Sequence, residues 1–96
     1  MKIDKEINGE EMTLKFEGWL DTMSSQELAA VLEETGDDIK RIVFDFKGLE
    51  YISSSGIRQI IAAYKQVNGN FVLRNVSSDI MDVFNMTGIS KRVKIE

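Results

Sequence analysis

Three consecutive serines, Ser53, Ser54 and Ser55, are the residues of this chain whose type and spacing best suit chemistry. The chain has no histidine or cysteine, so the usual serine and cysteine hydrolase dyads cannot form. It also lacks a Ser-x-x-Lys spacing and the Gly-Lys-Ser/Thr sequence of a phosphate-binding loop. No carboxylates fall at a convincing metal-ligand spacing. We therefore expect no enzyme activity, no metal and no cofactor, with serine hydrolysis as the weakest of the functions considered.

The serines lie between a predicted strand and a predicted helix. Upstream, Arg41–Phe46 is rich in β-branched and aromatic residues and is bounded by the turn-prone pair Lys47-Gly48, which is typical of a buried strand. Downstream, apolar residues recur at i, i+3, i+4 and i+7, the spacing of one helix face. These residues are Ile57, Ile60, Ile61 and Tyr64. The serines therefore occupy the start of a helix.

Serine at a helix start can act as a cap, because its hydroxyl accepts a hydrogen bond from an unpaired N–H of the first turn. One serine satisfies that role, and Gly56 costs helix stability by roughly 1 kcal/mol relative to alanine. A glycine here would let another surface approach the backbone closely. A phosphate on a serine would meet unpaired N–H groups and the positive end of the helix dipole. Arg58 lies four residues after Ser54, so it could pair with such a phosphate, or it is an ordinary solvated arginine. The stretch is thus a cap or a phosphorylation switch.

The composition limits the classes of partner. With 96 residues, 43% hydrophobic and 29% charged, the chain is expected to form one globular domain spanning residues 1–96. Its net charge of −4 would repel a nucleic-acid backbone, so we expect no nucleic-acid binding. The longest apolar run, Ile60–Tyr64, is too short to span a bilayer. We expect a cytoplasmic protein without direct membrane insertion.

The rest of the chain predicts the element order β-β-α-β-α-β-α-β, an α/β protein whose largely parallel sheet begins with an antiparallel hairpin. Asn8-Gly9 is the predicted hairpin turn. Ser24 and Glu27 have capping-box spacing, and Gly36 is expected to end that helix. Met86 is expected to pack in the core. The predicted strands are Lys2–Ile7, Met12–Leu20, Arg41–Phe46, Phe71–Val76 and Arg92–Ile95, and the predicted helices begin near Ser24, Ser55 and Ser78.

Several segments together resemble STAS domains, the family of bacterial anti-sigma factor antagonists and sulfate-transporter tails. The segment Tyr51–Arg58 is similar to the family's phosphorylation-site motif, and Gly18–Asp21 is similar to its Gly-x-Leu-Asp segment. The resemblance covers nearly the whole chain. It implies a mixed, mostly parallel sheet of four or five strands with helices mainly on one face, and it places the phosphoacceptor at Ser54. Ser53 stands where many relatives carry aspartate, so Ser53 or Ser55 remains an alternative acceptor.

The resemblance also implies a function. By this resemblance, the unphosphorylated protein is an anti-sigma factor antagonist that binds an anti-sigma factor that is also a serine kinase. Phosphorylation of Ser54 by that kinase ends the binding, and a separate phosphatase restores the unphosphorylated protein. The expected contact residues are the turn and its neighbouring loop, in a protein that acts as a monomer. They are Ser53, Ser55, Gly56, Arg58, Asp21, Thr22, Met23 and Ser24. Trp19 and Met23 would form an apolar docking patch or pack in the core. The alternative function is a non-switching accessory subunit of a membrane transporter complex.

Overall fold

The structure is a computed structural model that describes all of residues 1–96. It contains five strands and four helices. The strands are β1 (Lys2–Asn8), β2 (Glu11–Leu20), β3 (Arg41–Ile52), β4 (Phe71–Arg74) and β5 (Lys94–Ile95). The helices are α1 (Thr22–Glu34), α2 (Ser54–Gln66), α3 (Ser78–Thr87) and α4 (Ile89–Arg92).

The five strands form one sheet in the order β1-β2-β3-β4-β5. The β1–β2 pair is antiparallel, and every other neighbouring pair is parallel. The predicted mixed sheet with an initial hairpin is therefore confirmed. In the β2–β3 pair Leu20 is the register partner of Ile52, so these two strands end side by side. The segments that follow β2 and β3 therefore emerge at the same edge of the sheet.

The core lies on one face of this sheet. Alternate residues of β2, namely Met12, Leu14 and Phe16, are at most 1% exposed, as the period of a strand requires. They belong to a single cluster of 21 buried residues that also includes the buried apolar side chains of all four helices. The other face carries charged side chains such as Lys15 and Asp45, which are paired in register. The helices thus pack on one face, as predicted.

Strand β3 is longer than predicted. It does not end at Lys47-Gly48 but continues to Ile52, and its register against β2 shifts twice along this extension. A Cβ on Gly48 would lie 2.7 Å from Cγ of Glu17 and 2.9 Å from the carbonyl oxygen of Phe16. The glycine therefore permits a close strand-to-strand approach at an irregular register, rather than marking a turn.

The first hairpin and first helix also depart from the predicted boundaries. Asn8 pairs with Glu11, so the two-residue turn is Gly9-Glu10 rather than Asn8-Gly9. Helix α1 starts at Thr22 with Asp21 as its N-cap, because the helix begins as soon as the buried strand ends. It ends at Glu34, before Gly36.

The C-terminal part differs in three places. Strand β4 ends at Arg74, because Asn75 has a positive φ of 57° that an extended strand does not accommodate. The one-turn helix α4 was not predicted; it buries Ile89 and shortens the closing strand to Lys94–Ile95. Met86 is 86% exposed, so its predicted place in the core was wrong.

Candidate functional site

The starts of helices α1 and α2 lie next to each other at the end of the sheet where β2 and β3 finish. Each helix begins two residues after its strand, at Thr22 and at Ser54. The backbone N–H of Ser53 donates a hydrogen bond to the carbonyl oxygen of Leu20 at 2.9 Å, which joins the two connections directly. The serine turn and the Asp21–Ser24 loop are therefore neighbours, as the resemblance implied.

The three serines of the turn have three different environments. Ser53 is the N-cap of α2, and its hydroxyl oxygen accepts a hydrogen bond from the N–H of Gly56 at 3.3 Å. Ser55 is half-buried. Ser54 is the first residue of the helix; it is exposed, and its hydroxyl makes no hydrogen bond within the protein. The cap is thus supplied by Ser53, which leaves the hydroxyl of Ser54 available to another molecule.

Gly56 does not lie on the surface. It is buried, and a Cβ added to it would lie 2.8 Å from Cγ1 of Ile52 and 2.9 Å from Cγ of Leu20. We expected this glycine to let another surface approach the turn. The space is instead filled by the protein's own core, so Gly56 lets the first turn of α2 sit close against the ends of β2 and β3.

The loop beside the turn is held by a dense set of hydrogen bonds around Asp21. Its carboxylate oxygen accepts from the N–H of Ser24 at 3.0 Å and from the hydroxyl of Ser24 at 2.9 Å. The N–H of Asp21 donates to that same hydroxyl oxygen at 2.8 Å, which completes a capping box. The hydroxyl of Ser25 donates to the carbonyl oxygen of Asp21 at 2.6 Å. The loop therefore presents a fixed conformation to the serine turn.

The four predicted loop residues differ in burial. Thr22 and Met23 are exposed, with Met23 78% accessible. Asp21 is half-buried, and Ser24, only 4% exposed, makes its hydrogen bonds inside the loop. The capping box between Asp21 and Ser24 replaces the predicted one between Ser24 and Glu27. Hydrogen bonds from the N–H and hydroxyl of Ser24 hold the pKa of the Asp21 carboxyl below its ordinary value. Asp21 is therefore a carboxylate at neutral pH.

An exposed aromatic pair stands at the same end of the sheet. Trp19 and Tyr51 are register partners on β2 and β3, are 58% and 44% exposed, and have ring centroids 5.3 Å apart. We call these two residues the aromatic pair. Together with Met23 they account for three of the six exposed large hydrophobic side chains of the protein. Exposure of Trp19 and Met23 favours the predicted docking patch over the alternative of core packing.

A polar cleft of about 210 Å³ separates the first turns of α1 and α2. Its walls carry hydroxyl and amide groups and one guanidinium, among them those of Thr22, Gln26, Ser55, Arg58 and Gln59. A larger depression of about 590 Å³ lies on the helix-free face of the sheet. It is lined by none of the predicted site residues, so the smaller cleft is the one that belongs to the serine turn.

Two further findings bear on the classes of function. No group of three or more histidine, cysteine, aspartate or glutamate side chains is placed to hold a metal ion. Among the helices, none combines the length and the apolar character needed to cross a membrane.

Comparison with known proteins connects this geometry to a family. The STAS domain family model matches residues 2–96. The protein BtrV of Bordetella bronchiseptica, provisionally named an anti-sigma factor antagonist, is 32% identical over 76 residues, which are 75% of this chain and 66% of that protein. This chain thus aligns with just under two thirds of the length of that relative.

Solved structures share the fold at low sequence identity. Unphosphorylated SpoIIAA, an anti-sigma factor antagonist, matches with a TM-score of 0.80 and 17% identity, over 99% of this chain and 87% of that one. Phosphorylated SpoIIAA, described as a Bacillus cell fate determinant, matches with a TM-score of 0.72 and 16% identity, over 99% and 91%.

A sulfate transporter family protein from Wolinella succinogenes also shares the fold. It matches with a TM-score of 0.74 and 15% identity, over 94% of this chain and 80% of that one. The family match extends over both strand-to-helix connections that form the site. The chain therefore belongs to the STAS domain family.

Proposed function

We propose that this protein is an anti-sigma factor antagonist that binds an anti-sigma factor serine kinase when unmodified and is released when that kinase phosphorylates Ser54. The observation that carries the proposal is the environment of Ser54, an exposed hydroxyl with no hydrogen bond inside the protein at the first position of α2. Its neighbours are less suitable acceptors, because Ser53 is engaged as the cap and Ser55 is half-buried. The relative BtrV and the fold neighbour SpoIIAA, both named as antagonists, support the same role.

The folded protein can carry a phosphate on Ser54 at little cost. The first four N–H groups of a helix have no partner within the helix. In α2 that of Ser53 donates to the carbonyl oxygen of Leu20 and that of Gly56 to the Ser53 cap, which leaves two N–H groups available to a phosphate. A negative charge near these groups is favourable by about 0.3–1 kcal/mol. Phosphorylation is therefore expected to change the surface of the protein and leave its fold intact.

The transfer itself needs only an acceptor from this chain. The hydroxyl oxygen of Ser54 bonds to the γ-phosphorus of ATP, the bond from that phosphorus to the bridging oxygen breaks, and ADP leaves. The serine proton passes to a base of the kinase. Hydrolysis of the phosphoserine by a separate phosphatase restores the hydroxyl and releases inorganic phosphate.

The added charge explains why binding ends. Phosphorylation takes the net charge from −4 to roughly −5.5 to −6 and places the new charge on the exposed Ser54 of the turn. The aromatic pair and Met23, which lie at the same end of the sheet, are apolar surfaces that a partner would cover. Burying a phosphate in such an interface costs its hydration, so affinity for an apolar or acidic partner surface should fall steeply.

The experiment that tests the proposal combines a mass measurement with partner capture. The protein is purified from its own growing and stressed cells, and its intact mass is measured for the wild type and for Ser54→Ala. We expect one phosphate in at least one condition and none in the variant. Unmodified protein should capture the kinase, and Ser54→Asp should weaken that binding by at least about a hundredfold, since a charge misplaced in an interface costs several kcal/mol.

The chain offers a matched control in Ser78. It is the exposed first residue of α3, and the preceding Ser77 caps that helix by accepting from the N–H of Ile80 at 3.3 Å. Ser78→Asp therefore adds the same charge at an equivalent helix position and should leave kinase binding unchanged. Absence of phosphate in every condition, together with full binding by Ser54→Asp, would rule the switch out.

A second candidate is an accessory subunit of a membrane transporter complex, favoured by the likeness of fold to the sulfate transporter family protein. In that role the serine turn is a structural or docking element and carries no phosphate. Ser54→Ala and Ser54→Asp would then behave alike, because only a switch must distinguish a neutral side chain from a charged one.

A further inference from the structure

The polar cleft between the first turns of α1 and α2 lies beside the serine turn and is lined by one positively charged side chain and no negatively charged one. Arg58 is the only ionisable residue among those that line it. None of the ion pairs within 4.0 Å in the protein includes Arg58, and its side chain is exposed. The cleft therefore has a guanidinium on its wall and no acidic side chain of the protein to neutralise it.

Asp21, the N-cap residue of α1, precedes Thr22 but does not line the cleft. The carboxylate of Asp21 accepts two hydrogen bonds from Ser24 in its own capping box. The other walls of the cleft offer hydroxyl groups from Thr22 and Ser55 and an amide from Gln59. All of these groups can donate hydrogen bonds to an anion, and a guanidinium matches a carboxylate with two parallel N–H donors.

We propose that this cleft receives the carboxylate of an aspartate or glutamate side chain of the anti-sigma factor kinase. The inference rests on the proposed function and names the chemistry that the partner presents. The carboxylate binds the guanidinium of Arg58, and the neighbouring hydroxyl and amide groups take its remaining lone pairs. A partner that offers a lysine or arginine here is rejected by the charge of Arg58.

In this arrangement a phosphate on Ser54 competes with the partner's carboxylate for Arg58. Arg58 follows Ser54 by four residues, so the two side chains lie on the same face of α2. A phosphate on Ser54 reaches the same guanidinium, removes it from the partner and repels the partner's carboxylate. Phosphorylation thus ends binding through the residue that holds the partner.

The first test measures binding of the captured kinase to three variants. Arg58→Gln removes the charge, Arg58→Glu reverses it, and Arg92→Gln removes an equal charge from an exposed position of α4. We expect Arg58→Gln to weaken binding about tenfold or more, Arg58→Glu to weaken it further, and Arg92→Gln to change it by less than about twofold. A lysine in place of one acidic residue of the kinase should restore binding to Arg58→Glu.

The second test needs no partner. Protein made with phosphoserine at position 54 is titrated by phosphorus NMR, with and without Arg58→Gln. The guanidinium should lower the second pKa of the phosphate, so the substitution should raise it. An unchanged phosphate pKa overturns the competition at Arg58.

The outcomes separate the two proposals. If Ser54→Asp abolishes binding and Arg58→Gln binds as well as Arg92→Gln, the cleft does not hold the partner's carboxylate, while the switch stands. If the wild type captures no kinase, or if Ser54→Asp binds fully, the proposed function fails and this inference falls with it.

Discussion

The substitution Gly56→Ala tests the close packing that positions the serine turn. Alanine is better than glycine within a helix by about 1 kcal/mol, so on propensity alone the variant should be more stable. The new methyl would lie 2.8 Å from Cγ1 of Ile52 and 2.9 Å from Cγ of Leu20, and neither atom is the end of a mobile side chain. Overpacking of a core costs about 1–3 kcal/mol. The net expectation is a loss of about 1 kcal/mol.

Urea and thermal unfolding followed by circular dichroism measure this loss. For a domain of this size, 1 kcal/mol corresponds to a fall of about 4–8 °C in Tm. Ala62→Gly, at an exposed position of the same helix, is the matched control for propensity, and it should destabilise by about 1 kcal/mol. Gly56→Ala, the opposite substitution, should fail to give the corresponding gain in stability, because the packing clash opposes it.

A double substitution separates the clash from other effects. Leu20→Ala removes the Cγ atom that the new methyl would meet, at the expense of a cavity. In that background Gly56→Ala should cost less stability than in the wild type, because two of the three close contacts of the new methyl are with Leu20. A Gly56→Ala protein that is about 1 kcal/mol more stable than the wild type, with no coupling to Leu20, would refute the packing argument.

Two further predictions concern the loop and the aromatic pair. Asp21→Asn should destabilise the protein more at pH 7 than at pH 3. The fold lowers the pKa of the Asp21 carboxyl, so the carboxylate stabilises the folded state above the unfolded pKa of about 3.9, and this contribution is lost as the pH falls through the folded pKa. Urea unfolding across this pH range measures the difference. Trp19→Ala should cost less than about 1 kcal/mol of stability but weaken kinase binding about tenfold or more, with Met86→Ala, another exposed apolar residue, as the control in calorimetric titration. Equal binding by these two variants would exclude the aromatic pair from the interface.

Local patterns were sufficient to predict most of the fold. The alternation in β2 and the helical spacing of Ile57, Ile60 and Ile61 depend on period alone, and the structure confirms both elements. Lys47-Gly48 was misleading because the usual turn preference of glycine was overridden by pairing with β2, which lies far away in sequence. The one-turn helix α4 has too few residues to give a periodic signal.

The site was predicted less completely, since its details depend on contacts between distant segments. The sequence placed the serines at a helix start, but the hydrogen bond from Ser53 to Leu20 depends on the register of β2 and β3. The same register decides that Gly56 is buried and that Trp19 faces Tyr51. The pairing of Asp21 with Ser24 was accessible in principle, because aspartate followed three residues later by a polar side chain is a capping signal.

Comparison of Ser54 with Ser78 supports the proposal that Ser54, of two similar serines, is the phosphoacceptor. Both are exposed first residues of helices that a preceding serine caps at 3.3 Å, so helix position alone does not distinguish them. The residue four positions later differs, being Arg58 in α2 and Asp82 in α3. A phosphate on Ser54 would face a cation on its own helix face, whereas a phosphate on Ser78 would face a carboxylate. The charge one turn into the helix, rather than the cap, therefore favours Ser54 as the modified residue.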